Sequence, residues 1–116
     1  MRTVRTTISV GALAMAGCNA SLPADFEAPD AGSRIRAVIA TARQPTHEDL
    51  TQMVRALNSD DPALRSLSIA ALQRTAGDRF GYDAWAPEPE RRAAIDRWKR
   101  WLDERKGSGP AASTTP

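Results

Sequence analysis

The sequence predicts an all-α fold of about four helices, laid down as antiparallel pairs. Three observations carry this. Between residues 33 and 106 the apolar positions recur at i, i+3, i+4 and i+7, the spacing of one helix face. No stretch alternates β-branched or aromatic residues with polar ones, as a half-buried strand would. Stop and start signals, Pro45, Asp61-Pro62 and Gly77, divide the periodic region into helix-sized pieces.

The first helix is expected over about 33–43, with Ile35, Val38, Ile39 and Ala42 on one face, and Pro45 ends it. The second begins at Thr46. A hydroxyl there caps the free amides, and Asp49 at the third helical position completes a variant capping box. Leu50, Met53, Val54 and Leu57 form its stripe, and Asn58-Ser59 closes it. The third takes Asp61 as N-cap and Pro62 at the first helical position, where the missing N–H costs nothing. It runs to about Thr75, and Gly77 supplies the left-handed residue that commonly ends a helix. Leu64, Leu67, Ile69, Ala71 and Leu72 surround it, so it is expected to be the most buried. A loop over 78–87 leads to the last helix, about 89–106. Ala94, Ile95, Trp98, Trp101 and Leu102 form its apolar face, opposite Arg92, Asp96, Lys99, Arg100 and Asp103. Glu88 and Glu90 near its start and Arg105 and Lys106 near its end complement the helix dipole.

Ahead of this body, Met1-Arg-Thr-Val-Arg5 is basic and about a dozen mostly apolar residues follow, from Thr6 to Gly17. That is the anatomy of an export signal. It is too short to span a bilayer as a helix, which takes about 20 apolar residues. The segment ends in Met15-Ala16-Gly17-Cys18 and contains the only cysteine of the 116 residues. It resembles a bacterial lipoprotein signal, whose lipobox directs lipid to the cysteine thiol and cleavage just before it. Ala16, Gly17 and Cys18 fit, and Met15 stands where leucine is preferred. The resemblance implies a signal peptide over 1–17, a lipid-bearing Cys18 and a tether over 18–32, with entry into the fold near Phe26. Two or more acyl chains anchor stably, each buried CH₂ contributing about 0.8 kcal/mol. The other reading is an ordinary secretory signal cleaved after Ala20, which leaves a secreted helical domain without lipid. Asn19, next to the cysteine, is not the Asp associated with inner-membrane retention, which leans toward the outer membrane. At the other end, residues 107–116 offer no apolar face, and the sequence predicts a disordered tail there.

Charge and composition exclude several function classes. Of 16 basic residues, Arg2 and Arg5 precede Cys18, and the remaining 14 balance 14 acids. Such a body lacks the clustered cations that displace counterions from nucleic acid, and no nucleic-acid partner is expected. One cysteine forms no intrachain disulfide, and the lone His47 builds no metal site by itself. No G-x-S-x-G turn accompanies His47, and Glu88 and Glu90 read as solvated charges at a helix start. No catalytic residue, metal or cofactor is assigned.

A shift of 31 residues aligns the first helix with the third: Phe26 with Leu57, Asp30 with Asp61, Arg34 with Arg65, Ala37 with Ser68, Val38 with Ile69, and Ala40 with Ala71. A fixed period marks stacked helical units. The segment LTQMVRALNSDDPALRSLSIAAL, residues 50–72, resembles a short HEAT repeat of the PBS-lyase type on Asp61, Pro62, Arg65, Ala71 and Leu72. Leu64 and Ser68 stand where that pattern has Val and Ala. The resemblance implies a short HEAT-like α-solenoid with a C-terminal capping helix over 33–106. It also implies an Asp–Arg ladder through Asp30–Arg34 and Asp61–Arg65. The alternative is two solvated i,i+4 pairs contributing about 0.3–0.5 kcal/mol each. Residues 80–101 resemble a terminal cap, with Phe80, Tyr82, Trp85, Trp98 and Trp101 expected to cover the open end of the stack; the other reading is an exposed aromatic ligand site. Large aromatics suit that role, burying about 150–250 Å² each.

Together these expectations describe a lipid-anchored, non-enzymatic interaction or scaffold protein of the bacterial cell envelope. It would be held to the membrane by its lipid and would meet an envelope protein through a helical surface. The alternative is an accessory subunit or small enzyme, since some short HEAT relatives resemble bilin lyases. Their metal-ligating His-Glu pairs have no counterpart in this sequence.

Overall fold

The computed structural model describes residues 23–107. Within them the chain forms α1 (Ala31–Thr41), α2 (His47–Ala56), α3 (Pro62–Ala76) and α4 (Glu88–Gly107), with no strand among the described residues. Met15, Ala16, Gly17 and Cys18, residues 18–22 of the tether and the tail beyond 107 lie outside the described residues.

Side chains that compete for backbone hydrogen bonds set the helix starts. Asp30 accepts from the Ser33 N–H at 2.7 Å, so α1 begins two residues earlier than its apolar stripe predicts. That bond holds the Asp30 carboxyl below its ordinary pKa. At α2 the capping box closes both ways: Asp49 N–H donates to Thr46 Oγ1 at 3.1 Å, and Thr46 N–H donates to the Asp49 carboxylate at 2.9 Å. Asp61 accepts from Leu64 N–H at 2.9 Å, with Pro62 at the first position. Gly77, at φ 78°, ends α3 in the left-handed region and donates to Gln73 O at 2.8 Å.

The helices pack in a skipping order. α1 lies on α3 and α2 on α4, while the main seam between these layers is α2 against α3, with a slighter α1–α2 contact. Leu50, Met53, Val54, Leu57, Leu64, Ile69, Leu72 and Trp98 fill the core at 0–2% exposure. α4 joins through α2 and through the 78–87 loop, which is tied to it at several points described below.

Two sequence expectations change here. α1 turns Ser33, Ala37 and Val38 inward, and small residues let it approach α3 closely. Ile39 is left outside at 61% exposure, although its spacing puts it in the predicted stripe. Leu67 of α3 is also exposed, at 37%, because α1 and α2 occupy two sides of that helix and none of the described residues covers the third.

Candidate functional site

The repeat-motif residues act as structural fasteners. Arg65 is only 8% exposed and spans two loops, its Nε donating to Ala84 O at 2.9 Å and its Nη1 to Ser59 O at 2.8 Å. The Asp61 carboxylate faces its own helix amides, so the expected Asp61–Arg65 ladder rung is absent. Arg34, its counterpart in α1, makes no ion pair with Asp30 either, and its Nε is buried without a hydrogen-bond partner. Loop carbonyls compete for the motif arginine because they are buried and need a donor, whereas the Asp needs the helix N–H. Ala71 and Leu72 are buried in α3.

The aromatic residues divide. The turn at 79–82 places Phe80 at φ 53° and Gly81 at φ 75° and closes with Tyr82 N–H to Arg79 O at 3.1 Å, the pattern of a type I′ turn. This turn directs Phe80 edge-on to Trp98, ring centroids 4.7 Å apart at 78°. Trp98 in turn meets Trp101 edge-on at 5.3 Å and 81°. Trp98 Nε1 donates to Arg79 O at 3.0 Å and Arg97 Nε to Phe80 O at 2.7 Å, so α4 grips the turn by its backbone. Tyr82 is buried and donates its hydroxyl to Leu57 O at 2.6 Å, tying the loop to the end of α2. Burial pushes the Tyr82 phenol above its ordinary pKa, with Arg65 and Arg91 acting the other way. Trp85 departs from the expected cap. It is 76% exposed, because Asp83 accepts from its N–H in a local Asx turn that carries the ring outward.

Two of the grooves among the described residues present faces to other molecules. Between α2 and α4 lies a groove of about 400 Å³ whose lining includes Thr51, Arg55, Arg92, Asp96, Lys99 and Leu102. Its charges are mixed, and Arg92 is paired with Glu88 at 2.6 Å. His47 and Glu48 border an adjoining hollow with Lys99, Asp103 and Lys106. Among the described residues no group of three or more His, Cys, Asp and Glu side chains is placed to hold a metal, and no helix is long and apolar enough to cross a membrane.

The second face is apolar. Val38, Ile39, Ala42 and Arg43 from the α1 side and Leu67, Ala70, Ala71 and Arg74 from α3 line a groove of about 310 Å³. Periodicity could not single it out, since Ile39 and Leu67 carry the same pattern as core residues. The separation of 31 between Arg43 and Arg74 was the available signal. No protein-family model, curated protein or solved structure matches the chain.

Proposed function

We propose that this chain is a lipid-anchored, non-enzymatic interaction or scaffold protein of the bacterial cell envelope, built on a short HEAT-like stack that α4 caps. The observation that carries the interaction reading is the exposure of Ile39 and Leu67 in one helical groove, while the other large aliphatic side chains of the described residues are buried or half-buried. Contiguous exposed apolar surface marks sites of association. The skipping contacts, α1 on α3 and α2 on α4, support the stacked-repeat reading, because paired helices that pile up generate that order. The lipobox residues and Cys18 support the anchor.

Two measurements test the two halves. Cys18→Ala should abolish membrane fractionation and the mass increase from lipid in a bacterial host. An unchanged distribution and mass would remove the anchor from the reading. For the interaction, a photo-crosslinking residue placed at position 39 or 67 should yield a discrete protein adduct in the native membrane, while one at Ala93, on the exposed side of α4, should not. If neither groove position gives an adduct, the interaction reading fails.

A further inference from the structure

The α1–α3 groove has a charge character that narrows its partner. α1 reads AGSRIRAVIAT and α3 reads PALRSLSIAALQRTA, and neither contains an Asp or Glu. None of their exposed residues is acidic: Arg36, Ile39 and Ala40 on α1, and Pro62, Ala63, Leu67, Ala70, Gln73 and Arg74 on α3. Arg43, just past α1, joins Arg74 in the groove wall, and Arg36 lies one turn before Ile39. The α2–α4 layer differs, since Glu48, Asp49, Glu88, Glu90, Asp96, Asp103 and Glu104 alternate there with cations.

We propose that the α1–α3 groove docks an amphipathic helix from another protein, whose apolar ridge is flanked by carboxylates. This deepens the interaction reading above and rests on it. The apolar ridge would seat against Ile39, Leu67 and the alanines Ala42, Ala70 and Ala71, whose short side chains let a helix approach closely. The carboxylates would face Arg36, Arg43 and Arg74, which have no acid on either helix to neutralise them. Residues 1–22 and 108–116 contain no Asp or Glu, so neither of these segments supplies the complement. Two copies meeting through this same face would set arginines against arginines, which disfavours self-association. A concave groove floored by alanine suits a helix ridge better than it suits a bilayer, which is bound by protruding bulky apolar groups.

The test uses the full chain and a fluorescent synthetic helix with Leu at i, i+3, i+4 and i+7 and Glu on its flanks. A second peptide carries Lys in place of every Glu. The Glu peptide should bind at least tenfold more tightly than the Lys peptide at low salt, with the gap narrowing as salt rises. Ile39→Glu and Leu67→Glu should each weaken binding at least tenfold. Ile39 is 61% exposed, so thermal unfolding of its variants should stay unchanged, and Leu67→Glu is compared only at temperatures below its own unfolding; Ile39→Ser, which adds no charge, should weaken binding as well. Arg43→Glu with Arg74→Glu should reverse the preference toward the Lys peptide. Equal binding of the two peptides, binding of neither, or binding indifferent to position 39 overturns the proposal. So does tighter partition into phosphatidylglycerol vesicles than onto the Glu peptide, or a dimer in sedimentation that Ile39→Glu dissolves. Adducts at position 39 with no charge preference among peptides would defeat this inference and leave the interaction reading standing.

Discussion

Arg65 joins the α2–α3 connection to the α3–α4 loop with two charge-assisted bonds to carbonyls. Removing it strands those acceptors in a largely buried place, so Arg65→Ala should cost about 2–4 kcal/mol in denaturant unfolding. Arg65→Lys should recover little, because one ammonium does not reproduce the fork that spans both loops. Ser68 presents the opposite case. Its hydroxyl is fully buried in α3 without a hydrogen-bond partner, and Ser68→Ala should raise stability by about 0.5–1 kcal/mol. Tyr82 adds a pH dependence. Its folded pKa is raised by burial, so the neutral phenol is favoured in the fold. That contribution is fully present below the unfolded value, about 10, and is lost as pH climbs through it toward the folded value. Tyr82→Phe should cost about 1 kcal/mol near neutrality through the lost bond to Leu57 O. The gap between wild type and Tyr82→Phe should then close above about pH 10. A gap constant across that range would contradict the burial assigned to this phenol.

At the scale of elements, capping chemistry was the most legible feature of the sequence. Thr46 with Asp49, Asp61 with Pro62, and Gly77 all act where their residue types imply, because caps depend on neighbours only two or three positions away. Gly77→Ala should cost about 1 kcal/mol. Space is open around its α-carbon, so the penalty comes from the left-handed φ alone, and Gly77→Asn should cost less. The 79–82 turn was not legible. A phenylalanine at φ 53° is locally unfavourable, and its edge contact with Trp98, made eighteen residues along the chain, holds it there. Gly81 next to it also needs its left-handed φ, and a methyl there would meet Arg97 Nη2 at 2.9 Å.

Across the whole molecule, the three tryptophans occupy three environments: Trp98 sealed, Trp101 half-buried beneath the Arg105 guanidinium 5.3 Å from its ring, and Trp85 in solvent. Emission should therefore be heterogeneous. Trp85→Phe should remove the red-shifted, readily quenched component and leave stability unchanged, whereas Trp98→Ala should cost about 3–5 kcal/mol. For so small a body that approaches the whole of its stability. A uniformly blue emission from the wild type would contradict the exposure of Trp85. The helical class and most helix bounds follow from periodicity and caps, which are local and survive without knowledge of any distant contact. Which apolar residue ends inside was decided only when the helices met. Ile39, Leu67 and Trp85 share their spacing or chemistry with core residues, yet each points to a side that none of the described residues covers. Arg65 carries a charge and is buried, because two distant carbonyls converge on it. Burial depends on what packs against a face, and that information belongs to pairs of elements that no single stretch of chain contains.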